Sequence, residues 1–268
     1  MLIIGLGHLL FALSVAGLGV LGLLSGDFAL NWQPVPAWVP FREVLAYASG
    51  ALLLIGGLGM IVRRIATLSA LIMTVNFLAW LLLLRLPPVI SAPLNEGVWL
   101  GFGETSVLVA GAWVIFASLA GREHWTGAKL FVGDDGARLA RLLFAVALPL
   151  IGLSHFVYLK ATMSFVPAYL PDHMGFAYLT GAGHIAAGLA LLFGVLPRLA
   201  ATLEAAMMGV FTVLVWLPGA LATPTNRFQW TALLVSTALS AAGWAVADSL
   251  HARSWWSLYR EPAEQASA

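Results

Sequence analysis

Eight stretches of about twenty residues, apolar and almost free of charge, dictate what this chain can become. They run roughly over 2–24, 44–62, 65–86, 98–119, 139–159, 176–196, 199–218 and 229–249. The hydrocarbon core of a bilayer, about 30 Å thick, takes about 20 helical residues. Within it, every backbone N–H and C=O must be satisfied inside the segment or around a closed barrel. Barrel strands alternate polar and apolar residues over about ten positions; these runs are longer and evenly apolar. The reading is therefore an all-α membrane fold of eight transmembrane helices. Composition agrees: 9% of residues are charged, against about a quarter in soluble domains, and the mean hydropathy is +0.93.

The first run could be mistaken for a signal peptide. It lacks a basic n-region and exceeds the usual apolar core of about 7–15 residues. It also has a counterpart inside the chain, at Leu139 to Leu159, so it reads as a retained first span. A net charge of +1 implies no nucleic-acid partner. With no cysteine in the chain, disulfides, thiolate metal sites and iron–sulfur ligation are excluded.

The second constraint is a repetition, a feature to be sought before any local reading. VPAWVP at 35–40 returns as VPAYLP at 166–171, and Ala46-Tyr47 returns as Ala177-Tyr178 at the same offset. Asn95 with Trp99 matches Asn226 with Trp230, and Trp113 matches Trp244. Arg64 and Arg198 occupy matching turns, each soon followed by Ala-Thr-Leu. The first span aligns in two ways. Leu9-Leu10-Phe11-Ala12 fits Leu142-Leu143-Phe144-Ala145; Ile4 to His8 fits Ile151 to His155 only with a long insertion before VPAWVP. The first alignment is preferred, and His8 is then not the counterpart of His155. The expected organisation is two tandem four-helix repeats, 1–120 and 138–249. A polar linker at 121–137 joins them, and a tail at 250–268 is interfacial and then disordered. An even number of spans per copy makes the repeats parallel rather than inverted.

Nine Lys and Arg residues fall on the side of the linker and tail: Arg63, Arg64, Arg122, Lys129, Arg138, Arg141, Arg198, Arg253 and Arg260. Four fall on the side of the proline loops: Arg42, Arg85, Lys160 and Arg227. The positive-inside rule then puts both termini in the cytoplasm of an inner-membrane protein. The eleven tryptophans sort toward the two boundaries, as an aromatic belt requires. Each proline loop reads either as a cover over the outer mouth of its four-helix unit or as a stiff connector.

Ionisable side chains inside a membrane are costly and mark function by default. Glu104 lies near the start of the fourth span, His155 near the end of the fifth and His184 within the sixth, all three in the half nearer the proline loops. A carboxylate and two imidazoles at similar depth can relay protons, hydrogen-bond a quinone carbonyl or ligate a metal. The alternative is three separate polar groups, each bonding a neighbouring helix. Two imidazoles on consecutive helices, His155 and His184, could also clamp a haem b. Glu204 reads as an ion-pair partner of Arg198, or of Arg63 and Arg64 in the other half. Asn76, near mid-span, reads as interhelical glue. No nucleotide-binding, zincin or nucleophile-elbow motif is present.

The second half carries a family resemblance. RLLFAVALPLIGLSHFVYLKATMSFVPAYLP, followed by YLTGAGHIAAGLALLFGVLPRLAATLEAAM, resembles DoxX-like membrane proteins. The shared features are a first helix ending near His-Phe, a proline loop, a helix opened by Thr-Gly and a Pro-Arg turn. The resemblance spans about 110 residues of the second half and extends more weakly to the first through VPAWVP, Ala46-Tyr47 and Arg64. The family is usually one four-helix unit, so this chain resembles a fused pair. Many members carry a glutamate in the helix after Thr-Gly; here that region holds His184, and the first half holds Leu53. One relative is a subunit of a thiosulfate:quinone oxidoreductase. The resemblance therefore implies an accessory or anchoring subunit of a quinone-linked respiratory membrane system, touching lipid and quinone. It carries over no catalytic residue. The alternatives are a small-molecule transporter with a pocket at the repeat interface, and a purely structural membrane subunit.

Overall fold

The computed structural model describes residues 5–120, 125 and 127–257. Among them are eight helices long and apolar enough to cross a membrane, and no strand. We number these α1 Leu6–Ser25, α2 Arg42–Ile61, α3 Ala66–Ser91, α4 Glu96–Leu119, α5 Gly133–Val157, α6 His173–Phe193, α7 Pro197–Ala222 and α8 Arg227–Asp248. A short helix, Leu159–Phe165, follows α5. The spans are those expected from the apolar runs, with two differences. Helix α5 starts at Gly133, inside the stretch read as linker, because Asp134 and Asp135 sit in its first turn where the helix dipole favours acids. Helices α3 and α7 run on to Ser91 and Ala222, past their prolines.

Those prolines are accommodated by a wide turn. Residues Leu81–Arg85 and Thr212–Trp216 form single π-helical turns, closed by the Leu86 N–H on the Leu81 carbonyl and the Leu217 N–H on the Thr212 carbonyl. Pro87 and Pro218 have no N–H, and their rings crowd the carbonyls one turn back. Widening the turn relieves that crowding without ending the helix, and such turns favour functional places. The wide turn of α3 carries Arg85 and that of α7 carries Trp216.

The matched Asn and Trp residues have a concrete job. Asn95 and Asn226 cap α4 and α8, their side chains accepting from the backbone N–H groups of Gly97 and Phe228, each at 3.0 Å. The indole N–H groups of Trp99 and Trp230 donate to the Pro93 and Pro224 carbonyls at 2.8 and 2.9 Å. Each pair ties the incoming loop to the start of its helix.

Helix α1 packs on α2, and α5 on α6. A methyl group added at Gly57 would stand 2.7 Å from the Ala12 carbonyl oxygen; at Gly188 it would stand 2.7 Å from that of Ala145. Only glycine permits backbones that close, the usual device of helix pairs in lipid. Helix α4 packs on α5, α1 on α8, and α4 against α8. Helix α4 is therefore central: 78% of its most apolar window is buried, against 17% in α7.

The loop between α1 and α2 is pinned across the molecule. Asp27 binds Arg42 at 2.6 Å and Arg227, at the start of α8, at 3.5 Å. Arg227 also donates to the backbone carbonyls of Asp27 and Phe28. Trp32 stacks on Phe228 with ring centroids 5.9 Å apart. The opposite boundary has its own clasp: Arg198 donates to the His251 and Arg253 carbonyls and lies 4.0 Å over the Trp255 ring. The later part of the tail, read as disordered, lies outside the described residues.

Candidate functional site: a buried imidazole pair in an apolar cavity

A cavity of about 650 Å³ opens between α5, α6 and α7, bordered by α4 and α8. Its wall is mostly apolar. Glu104, His155 and His184, the three residues singled out from the sequence, all line it. Trp32 from the pinned loop, Phe165 from the short helix and Trp216 from the wide turn line it as well. The first proline loop thus contributes to a cavity that lies chiefly in the second half.

Each polar side chain has a definite origin. His155 stands two residues before the end of α5, and Gly181 of α6 lets the two helices meet beside it. His184 lies at the middle of α6, deeper than the outer-half position read from the sequence. The residue is only 2% exposed. Its Nδ1 is 2.6 Å from Glu204 Oε1, and the carboxylate is fully buried. This corrects the expected role of Glu204. It pairs with neither Arg198, which is spent on the tail, nor an arginine of the other half; its partner is His184. The signal was present in the sequence. His184 and Glu204 stand ten residues either side of Gly194, the turn joining α6 and α7, so an antiparallel hairpin brings them level.

The two imidazoles lie 5.1 Å apart between ring centroids, tilted by 52°. Phe211 closes against both, at 6.4 Å from His155 and 6.2 Å from His184. His155 Nδ1 is 3.1 Å from the Ile151 carbonyl oxygen. Both Nδ1 atoms are therefore engaged, and Nε2 is the ring nitrogen each has left. Glu204 Oε2 has no hydrogen-bond partner among the described residues.

Glu104 stands apart from that pair. It enters from α4, half-buried at the cavity wall, with Arg85 as its opposite charge. The Trp32 indole N–H lies beside it without closing a hydrogen bond of normal geometry. Arg85 reaches on to Thr105 at 3.3 Å and to the Asn31 carbonyl at 2.5 Å. No hydrogen bond among the described residues joins Glu104 to either imidazole, so a direct three-residue proton relay has no contact to run through. Glu96, in the first turn of α4, is buried with both carboxylate oxygens unpaired. The Asn76 side-chain nitrogen is likewise buried and unpaired, so its amide donates no interhelical bond, contrary to the reading as glue.

At the offset that relates the two proline loops, His184, Glu204 and Phe211 align in sequence with Leu53, Met73 and Trp80, all buried. Phe77 meets Trp80 edge-on at 5.1 Å and Phe11 at 6.2 Å. These aligned residues belong to the buried apolar core, whereas His184 and Phe211 line the cavity.

Outside the spans, the Asp27 carboxyl feels opposing influences. Burial alone pushes it up. The Phe28 backbone N–H and the charges of Arg42 and Arg227 outweigh burial and hold it below its ordinary value.

The model of the DoxX family matches residues 136–217, from the start of α5 to the wide turn of α7 and just beyond. This stretch is DoxX-like, and it holds His155, His184 and Glu204. No curated protein and no solved structure matches the chain.

Proposed function

We propose that this multi-pass membrane protein binds a lipophilic ring compound of the quinone class in its DoxX-like half, as an accessory or anchoring subunit of a quinone-linked respiratory system in the inner membrane. The observation that carries the reading is the cavity itself: about 650 Å³, walled by apolar and aromatic side chains, with two imidazoles at its floor. Ligand sites are commonly apolar clefts of about 300–1,000 Å³ with a few convergent polar groups. A ring bearing oxygens at one end and an apolar tail at the other matches that distribution. The two halves are then duplicated copies of which only one kept the site; the shared caps, wide turns and glycine contacts support that history.

Haem b fits less well. A haem iron needs one nitrogen aimed at it from each side of the macrocycle. Here the two rings are in near contact, tilted, and wedged by one phenylalanine. A quinone-class ligand requires no separation of the rings. A transport reading expects the pocket between the halves, whereas every residue of this lining except Trp32, Leu100 and Glu104 belongs to the second half.

The test is extraction of the purified protein followed by mass spectrometry of the bound lipids. A quinone retained in near-stoichiometric amount, and lost in the double variant His184→Leu with Glu204→Met at comparable protein yield, is the expected result. Phospholipid alone, in both proteins, would overturn it.

A further inference from the structure

We infer that the floor of the cavity selects the hydroxyl-bearing, reduced form of its ring ligand over the quinone form. This deepens the quinone-class reading and rests on it. The inference follows from accounting for protons on four nitrogens. A carbonyl oxygen only accepts, so His155 Nδ1, 3.1 Å from the Ile151 carbonyl, carries the hydrogen. The neighbouring Ser154 hydroxyl does not change this, because it donates to the same carbonyl at 2.7 Å. In the neutral ring, His155 Nε2 is then a bare lone pair, an acceptor.

His184 is set the other way. One proton lies in the 2.6 Å contact between its Nδ1 and Glu204. With a second proton on Nε2 the pair is neutral overall; without it the pair is an anion. Both side chains are almost wholly buried, at 3% and 0% exposure, and the second carboxylate oxygen has no partner. An uncompensated charge there is strongly disfavoured. The neutral pair keeps its second proton, so His184 Nε2–H is a donor.

One acceptor and one donor thus serve the same cavity from rings 5.1 Å apart. A hydroxyl complements both, donating its hydrogen to His155 and accepting from His184. A quinone carbonyl only accepts. It satisfies His184 and leaves His155 Nε2 buried without a partner, a loss worth roughly tenfold or more in affinity.

The experiment is calorimetric titration of the full chain in detergent with a short-tailed benzoquinone, its hydroquinone kept reduced without oxygen, and the dimethyl ether of that hydroquinone. The hydroquinone is expected to bind about tenfold tighter than both the quinone and the ether. In His155→Phe, that advantage is expected to vanish, because the quinone no longer strands a buried acceptor and the hydroxyl no longer has one to donate to. Equal binding of the three compounds, or tighter quinone binding, overturns the inference and leaves the quinone-class reading standing. A hydroquinone advantage that survives in His155→Phe also overturns it. Failure of all three to bind removes the quinone-class reading as well.

Discussion

His184 Nδ1 and Glu204 Oε1 meet at 2.6 Å in a place with almost no access to solvent, on two helices joined by a tight turn. Burying such a pair is costly. At the offset of the two proline loops, the apolar Leu53 and Met73 align in sequence with these two residues. His184 lines the cavity and brings the pair to its wall.

That comparison yields a stability prediction. His184→Leu leaves the Glu204 carboxylate buried alone and is expected to cost about 3–5 kcal/mol. The double variant His184→Leu with Glu204→Met copies the first half's residues and is expected to recover most of that loss. Thermal unfolding of the detergent-solubilised protein measures both. A double variant no more stable than the single one would show that the pair has a structural role the first half does without.

Asp27 gives a pH dependence with a definite sign. Its carboxyl is held below the ordinary 3.8 by the Phe28 N–H and the two arginines. Its contribution is therefore present above that value and lost as pH falls through the lower folded value. The group is about a third exposed, so the effect is modest. Asp27→Asn is expected to lower the thermal midpoint slightly at pH 7, with the difference disappearing as pH falls below about 4, so that the acid limb is flatter. Because the loop also seats Trp32 at the cavity wall, faster ligand release from the same variant is expected in a washout assay.

How much of this was legible in the chain depends on range. The eight spans and their helical nature follow from lipid being unable to satisfy a backbone. The caps at Asn95 and Asn226 were visible only as a repeated spacing with Trp99 and Trp230, because spacing does not reveal that each Asn accepts from a first-turn N–H or that each Trp donates to an upstream proline carbonyl. Glu104, His155 and His184 were found by the rarity of polar groups in lipid, and they do share one cavity. What escaped was pairing. Glu204 was placed with arginines by depth and charge, yet hairpin geometry put it level with a histidine. The cavity was hidden too, since its volume depends on how Phe165, Phe211 and Trp216 pack rather than on their presence.

The Asn caps allow a matched test of the two halves. Asn95→Ala and Asn226→Ala each remove one side-chain acceptor from a first-turn N–H, an expected cost of about 1 kcal/mol. Trp99→Phe and Trp230→Phe each remove one indole bond to a proline carbonyl, also about 1 kcal/mol. Equal losses within each pair, read from unfolding midpoints, are expected if the two halves are copies of one unit. A large loss in one half and none in the other would count against that.

Orientation is the last expectation and the most directly measurable. The bias of nine basic residues against four places the linker, the Arg63-Arg64 turn and the tail in the cytoplasm, and the proline loops outside. The chain has no cysteine, so each introduced thiol reports alone. Trp38, in the first proline loop, is 80% exposed, and Gly127, in the linker, has open space around it. In intact cells, Trp38→Cys is expected to react with a membrane-impermeant maleimide, and Gly127→Cys only after the membrane is opened. The reverse pattern would invert the topology. It would also put the Trp32 side of the cavity toward the cytoplasm, where a ligand would have to enter from the opposite face.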